Sequence, residues 1–115
     1  MTSPSIFTRI LTGEIPGELL LDDERVFAIR DINPQAPLHA LVIPKTEQYR
    51  DVTELAAGDP GLLAELVAAA KRLADEHADG EYRLIFNNGA RAAQSVFHVH
   101  AHVLGNLGQD DLVGL

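Results

Sequence analysis

Residues 94–106 read "QSVFHVHAHVLGN", and three of the chain's five histidines, His98, His100 and His102, stand there at alternate positions inside one apolar run. In an extended chain side chains two apart share a face, so the three rings point one way while Val99, Ala101 and Val103 point the other. The run reads as a buried strand. Burying three imidazoles costs desolvation and lowers each pKa unless hydrogen-bond partners are supplied. That cost is met more often at functional sites than in a plain core.

The segments on either side supply a frame. Ser5 can cap a short helix through "IFTRIL", which Gly13 ends, and "GELLL" with "RVFAI" reads as a β-hairpin around the acidic "DDE". "NPQAP" is turn and extended chain, and "LHALVIP" is a third strand closed by Pro44. "TELAAGD" forms a helical turn, after which Asp59 and Pro60 open a long helix. Its apolar stripe is Leu62, Leu63, Leu66, Val67, Ala70, Leu73 and Ala74, and Gly80 stops it. "YRLIFNN" and "SVFHVHAHVLG" complete five strands joined by "GARAAQ". The expected architecture is α+β, a mostly antiparallel five-stranded sheet with one long and one short helix. One main helix covers such a sheet only in part, so the sheet is expected to meet a second copy of the chain.

Composition narrows the function. The 115 residues suit a single domain. The net charge of −8, from 17 acidic and 9 basic residues without a basic cluster, argues against a nucleic-acid partner. No cysteine is present, which removes disulfides, thiol nucleophiles and thiolate metal sites and suits a reducing cytoplasm. No segment approaches the ~20 apolar residues of a membrane span, so a cytoplasmic protein without membrane contact is expected.

For the histidine run itself, two chemistries compete. Histidines at i and i+2 can chelate zinc, but the outer pair lies ~13 Å apart along a strand, so a third ligand would have to come from His39 or a carboxylate. Alternatively a neutral imidazole serves as nucleophile, and a neighbouring cationic ring holds phosphate oxygens. His100, with a helper on either side, is then the candidate nucleophile. His77, on the polar end of the long helix, reads as an ordinary surface histidine.

"HVHAHVL" resembles the signature of the histidine triad (HIT) superfamily of nucleotidyl hydrolases and transferases. With "SIFTRILTGEIP" and "FAIRDINPQAPLHALVIPK", the chain is similar to the Hint branch, the histidine triad nucleotide-binding proteins, over about residues 5–105, leaving a variable tail at 106–115. The resemblance implies one HIT domain over residues 1–115 and a homodimer. It also implies a metal- and cofactor-free hydrolase that cleaves the P–N bond of purine nucleoside 5′-phosphoramidates, of the AMP-amine or AMP-lysine type, through a nucleotidyl-histidine on His100.

By the same resemblance, the His98 carbonyl accepts from Nδ1–H of His100, and His102 and His39 flank the phosphate. Ser95 and Asn87 donate to its oxygens or to the leaving group. Asp31 accepts the ribose hydroxyls, and Phe7, Ile10, Ile15, Ile29 and Ile32 form the purine pocket. Two departures from the family pattern stand out: Ala93 where glycine often precedes "QS", and a tail without tryptophan. The alternatives are a dinucleoside polyphosphate hydrolase or nucleotidyl transferase of the same superfamily, and a nucleotide-binding interaction module.

Overall fold

A computed structural model describes residues 3–109, so the last six residues of the expected tail lie outside the described part. Five strands, β1 (Leu19–Asp22), β2 (Val26–Arg30), β3 (Leu38–Pro44), β4 (Tyr82–Ile85) and β5 (Ala101–Gly105), form one sheet in the order β1-β2-β3-β5-β4. Every neighbouring pair is antiparallel, and β3 is buried along its whole length. The α+β architecture expected from sequence is the one observed. Among the described residues no helix is long and apolar enough to cross a membrane.

Strand alternation sorts the apolar side chains into two layers. Val26 and Ala28 of β2, Leu38, Ala40 and Val42 of β3, and Val103 of β5 face the larger cluster. It packs on α2 (Val52–Gly58) and α3 (Pro60–His77), which present Leu55, Leu62, Leu66, Ala70 and Leu73. The opposite face is covered by α1 (Ile6–Leu11), and there Phe7 packs with Phe27, Ile29, Leu41 and Ile43.

The helix signals act as read. The Ser5 hydroxyl accepts from the amide of Thr8, and the Asp59 carboxylate accepts from that of Leu62 ahead of Pro60. Gly80, at φ +89°, takes the left-handed conformation that lets the chain leave α3. Three details differ from expectation. "TELAAGD" is a full seven-residue helix rather than a turn, so there are two short helices beside the long one. On α3, Ala69 is buried while Val67 is 40% exposed, because the apolar arc is centred nearer Leu66 and Leu73.

The third difference concerns the histidine run, which joins the sheet only from Ala101; residues 94–100 have no ladder partner. The cause is chemical. β3 ends at Pro44, which has no amide hydrogen to give, and the Pro44 carbonyl instead accepts from the His98 ring at 2.7 Å. The amide of Val99 goes to the Tyr49 carbonyl at 3.0 Å. The neighbouring strand β4 likewise ends at Ile85, short of the expected "FNN".

Candidate active site

His39 on β3 and His102 on β5 project from the α1 side of the sheet, because their neighbours Ala40 and Val103 belong to the larger core. The bent segment ahead of β5 carries His98 and His100 onto the same side. Ring centroids lie 5.4 Å apart for His100 and His102 and 5.2 Å for His39 and His102. Phe7 of α1 packs its ring edge-on against His100 at 4.8 Å. The single-faced array read from the alternation is present.

Beside these rings opens a cavity of about 340 Å³, within the ~300–1,000 Å³ common for small-molecule sites. His100, His102, Asp31, Asn87 and Ser95 line it, with Phe7, Ile10, Ile29 and Ile32 as apolar wall. Of the residues expected at the site, Ile15 and His39 are placed differently, while His98 offers its backbone carbonyl to His100 as expected. Ile15 is not part of the lining. His39 lies behind His102 and opens onto a shallower hollow that also includes Gln35, Ile85 and Leu104. The His98 ring is 1% exposed and does not reach the cavity.

Sequence reasoning missed several wall residues. Leu41 could have been found from its period-two relation to His39. Ile6 and Val96 could not, because the fold alone brings helix and loop together. Gly17 is a third case: a Cβ there would overlap the Ile10 side chain, so Gly17→Ala must displace that branched residue of the cavity wall. Overpacking of this kind costs ~1–2 kcal/mol, and Gly17→Ala is expected to lower the thermal midpoint by a few degrees, measurable by calorimetry. Ala93, at φ +71° on the cavity rim, takes the left-handed conformation that glycine adopts without cost.

Hydrogen bonds fix the tautomer of each ring. The Nδ1 of His100 lies 2.9 Å from the His98 carbonyl, which can only accept, so Nδ1 carries the proton and Nε2 keeps a free lone pair. In His98, Nε2–H donates to the Pro44 carbonyl and Nδ1 accepts from the Ser5 hydroxyl at 2.6 Å. In His39, Nδ1 accepts the backbone amide of Gln35 at 3.0 Å, so its proton sits on Nε2. That Nε2–H is shared between His102 Nδ1 at 3.0 Å and Asp31 Oδ2 at 3.3 Å. His102 therefore keeps its own proton on Nε2. Two adjacent rings thus present opposite functions: His100 a lone pair, His102 a donor.

All four rings are held neutral. Desolvation lowers the pKa of His39, His98 and His100, and His102 is pushed down to about 4 by desolvation and by the neighbouring His100 and His39. A cationic ring, expected from sequence as the phosphate holder, is replaced here by a neutral N–H donor. Asp31, 17% exposed at its side chain, accepts the Asn33 amide at 2.8 Å through Oδ1, the turn-capping role that its place before "NP" also allows.

The ligand atoms of Asp31, His39 and His102 lie within 4.8 Å of one another, and their contacts of 3.0 and 3.3 Å approach the ~3.4 Å between ligands of tetrahedral zinc. The surroundings oppose a metal. A ligating histidine donates its second N–H to an acceptor, whereas His39 Nδ1 faces an amide donor, that of Gln35. Ligation through Nε2 would set two N–H groups against each other. The trio does not fit a resident ion.

The fold and this cavity define an α+β domain with a neutral histidine cluster at the mouth of an apolar, nucleotide-sized pocket. The chain belongs to the HIT domain family, whose model matches residues 12–108. It is 39% identical to the HIT family hydrolase from Clostridium thermocellum, with a TM-score of 0.86 over 95% of this chain and 96% of that one. It is 37% identical to the adenylylsulfatase HINT1 of Arabidopsis thaliana, over 90% of this chain and 71% of that protein. A 14 kDa zinc-binding protein of Zea mays is 43% identical over 90% of this chain and 82% of its own length.

Proposed function

We propose that the chain is a nucleotide-binding hydrolase that cleaves the P–N bond of purine nucleoside 5′-phosphoramidates through a nucleotidyl intermediate on His100. The observation that carries this reading is the pairing of tautomers, a bare Nε2 on His100 next to an N–H on His102 at one cavity. In the proposed reaction, His100 Nε2 attacks the α-phosphorus and the P–N bond breaks. The phosphoramidate nitrogen, protonated from solvent, leaves as the amine. Positive charge arising on the ring is met by the His98 carbonyl at Nδ1–H, and charge on the phosphoryl oxygens by His102 Nε2–H with Ser95 and Asn87. Water then attacks phosphorus, releases the nucleoside monophosphate and returns the lone pair to His100.

Purine binding is supported by Ile32, which is 89% exposed at the cavity although apolar, and by the buried Phe7 and Ile29 beneath it. A flat ring would cover that surface. Asp31 would accept the ribose hydroxyls through its two oxygens. The proposal includes a homodimer, for which sedimentation at twice the 12.5 kDa chain mass is the check.

The name of the Arabidopsis relative favours a second reading, attack at the same phosphorus of adenylyl sulfate with sulfate departing. Rapid-quench mass spectrometry with each substrate, and with a diadenosine polyphosphate, tests the proposal. Adenosine 5′-phosphoramidate is expected to add one nucleoside monophosphate to the protein within the first turnover. Turnover without any adduct would refute it. Because the Gln35 amide facing His39 Nδ1 disfavours a metal on the trio, overnight chelation is expected to leave the rate unchanged, in contrast to what the zinc-binding name of the maize relative would suggest for this chain.

A further inference from the structure

We propose that Ser5 is a positioning residue for the nucleophile, acting through the His98 ring; the catalytic part of this inference rests on the hydrolase reading above. The His98 carbonyl that orients His100 belongs to a stretch outside the sheet, so strand pairing does not hold it. Beside the Val99 amide, which shares its peptide unit and donates to the Tyr49 carbonyl at 3.0 Å, what holds it is the buried His98 ring, whose two nitrogens are pinned by the Pro44 carbonyl at 2.7 Å and the Ser5 hydroxyl at 2.6 Å. The first belongs to the central strand and the second to a helix cap 93 residues away.

Ser5 is itself anchored. Its backbone amide donates to Glu47 Oε1 at 2.8 Å, and Thr8 Oγ1 donates to Glu47 Oε2 at 3.0 Å, which fastens the start of α1 to the segment after β3. The same helix supplies Ile6, Phe7 and Ile10 to the nucleotide cavity. One six-residue helix therefore holds both the apolar wall and, by way of its cap, the orientation of the attacking ring.

Ser5 plays two roles that substitution can separate: its oxygen accepts from Thr8 as a helix cap, and its O–H donates to His98 Nδ1. Threonine keeps both, aspartate keeps only the cap because it offers no proton, and alanine loses both. Turnover of adenosine 5′-phosphoramidate, affinity for AMP, thermal midpoint and 15N spectra of the histidines are measured for the three variants and the parent. Ser5→Thr should stay within about threefold of the parent in kcat, whereas Ser5→Asp and Ser5→Ala should each lose about tenfold or more, with AMP affinity nearly unchanged. Ser5→Ala, which also loses the helix cap, should lower the thermal midpoint.

The spectra of the ligand-free parent should show His98 Nδ1 bare and His100 Nδ1 protonated. In Ser5→Asp the His98 proton should move to Nδ1 or the ring should become charged. Parental kcat in Ser5→Asp, or a loss confined to AMP affinity, would overturn the proposal. If the parent does not cleave the phosphoramidate, the hydrolase reading fails by itself; the nitrogen spectra still decide whether Ser5 sets the His98 tautomer, and an unchanged His98 in Ser5→Asp refutes it.

Discussion

His100→Ala is expected to abolish the nucleotidyl adduct and to lower turnover of adenosine 5′-phosphoramidate by about 10⁴-fold or more, as loss of a covalent nucleophile does elsewhere. The expectation follows from the committed geometry of the ring. His100 is 8% exposed, its Nδ1–H is occupied by the His98 carbonyl, and only Nε2 remains to react. His102 cannot substitute, because its Nδ1 is engaged by His39 and its Nε2 carries the proton. AMP affinity should change by severalfold at most, since the apolar wall, Asp31 and Asn87 stay in place. Rapid-quench mass measurement of parent and variant, with AMP binding as the folding control, decides the matter. Turnover within tenfold of the parent would place the chemistry on another group.

The second large effect is loss of stability in mild acid. The folded pKa of His102 is about 4, against an ordinary 6.5 in the unfolded chain. Between those values the unfolded chain binds a proton that the folded one refuses, so stability falls as pH falls through this window and is complete above about 6.5. At 1.36 kcal/mol per pKa unit, His102 alone accounts for ~3 kcal/mol lost by pH 4. His39, His98 and His100 are shifted in the same direction by the same desolvation, so their losses add to it.

Against a typical total of ~5–15 kcal/mol, this predicts unfolding in mild acid, before most carboxylates protonate. Urea midpoints at pH 7.5, 6.0 and 5.0 should decline steeply, and His102→Asn should flatten part of the decline. Equal midpoints at pH 7.5 and 5.0 would contradict the neutral burial of these rings. A bound phosphate monoester should oppose the loss, because an anion beside His102 favours its charged form.

Much of this molecule was legible from local rules. The caps at Ser5 and Asp59, the β1–β2 hairpin, β3 with its apolar run broken only by His39, and the shared face of His98, His100 and His102 each follow from a few adjacent residues. Such features depend on periodicity and on which side chains can satisfy helix ends, and both are local properties. The length of the histidine strand was not legible. Its end is set by Pro44, a residue of the partner strand, and by the Tyr49 carbonyl that takes the Val99 amide.

The site divides along the same line. By itself the amino-acid order determined that three imidazoles would stand on one side of an extended chain near an apolar wall, because alternation needs no partner. What each ring is depends on atoms that the fold brings to it from elsewhere in the chain. The Gln35 amide, the His98 and Pro44 carbonyls and the Ser5 hydroxyl assign every proton, and burial keeps all four rings neutral. A tautomer is chosen by the atom opposite each nitrogen, and for His98 and His102 that atom comes from residues 93 and 63 positions away along the chain.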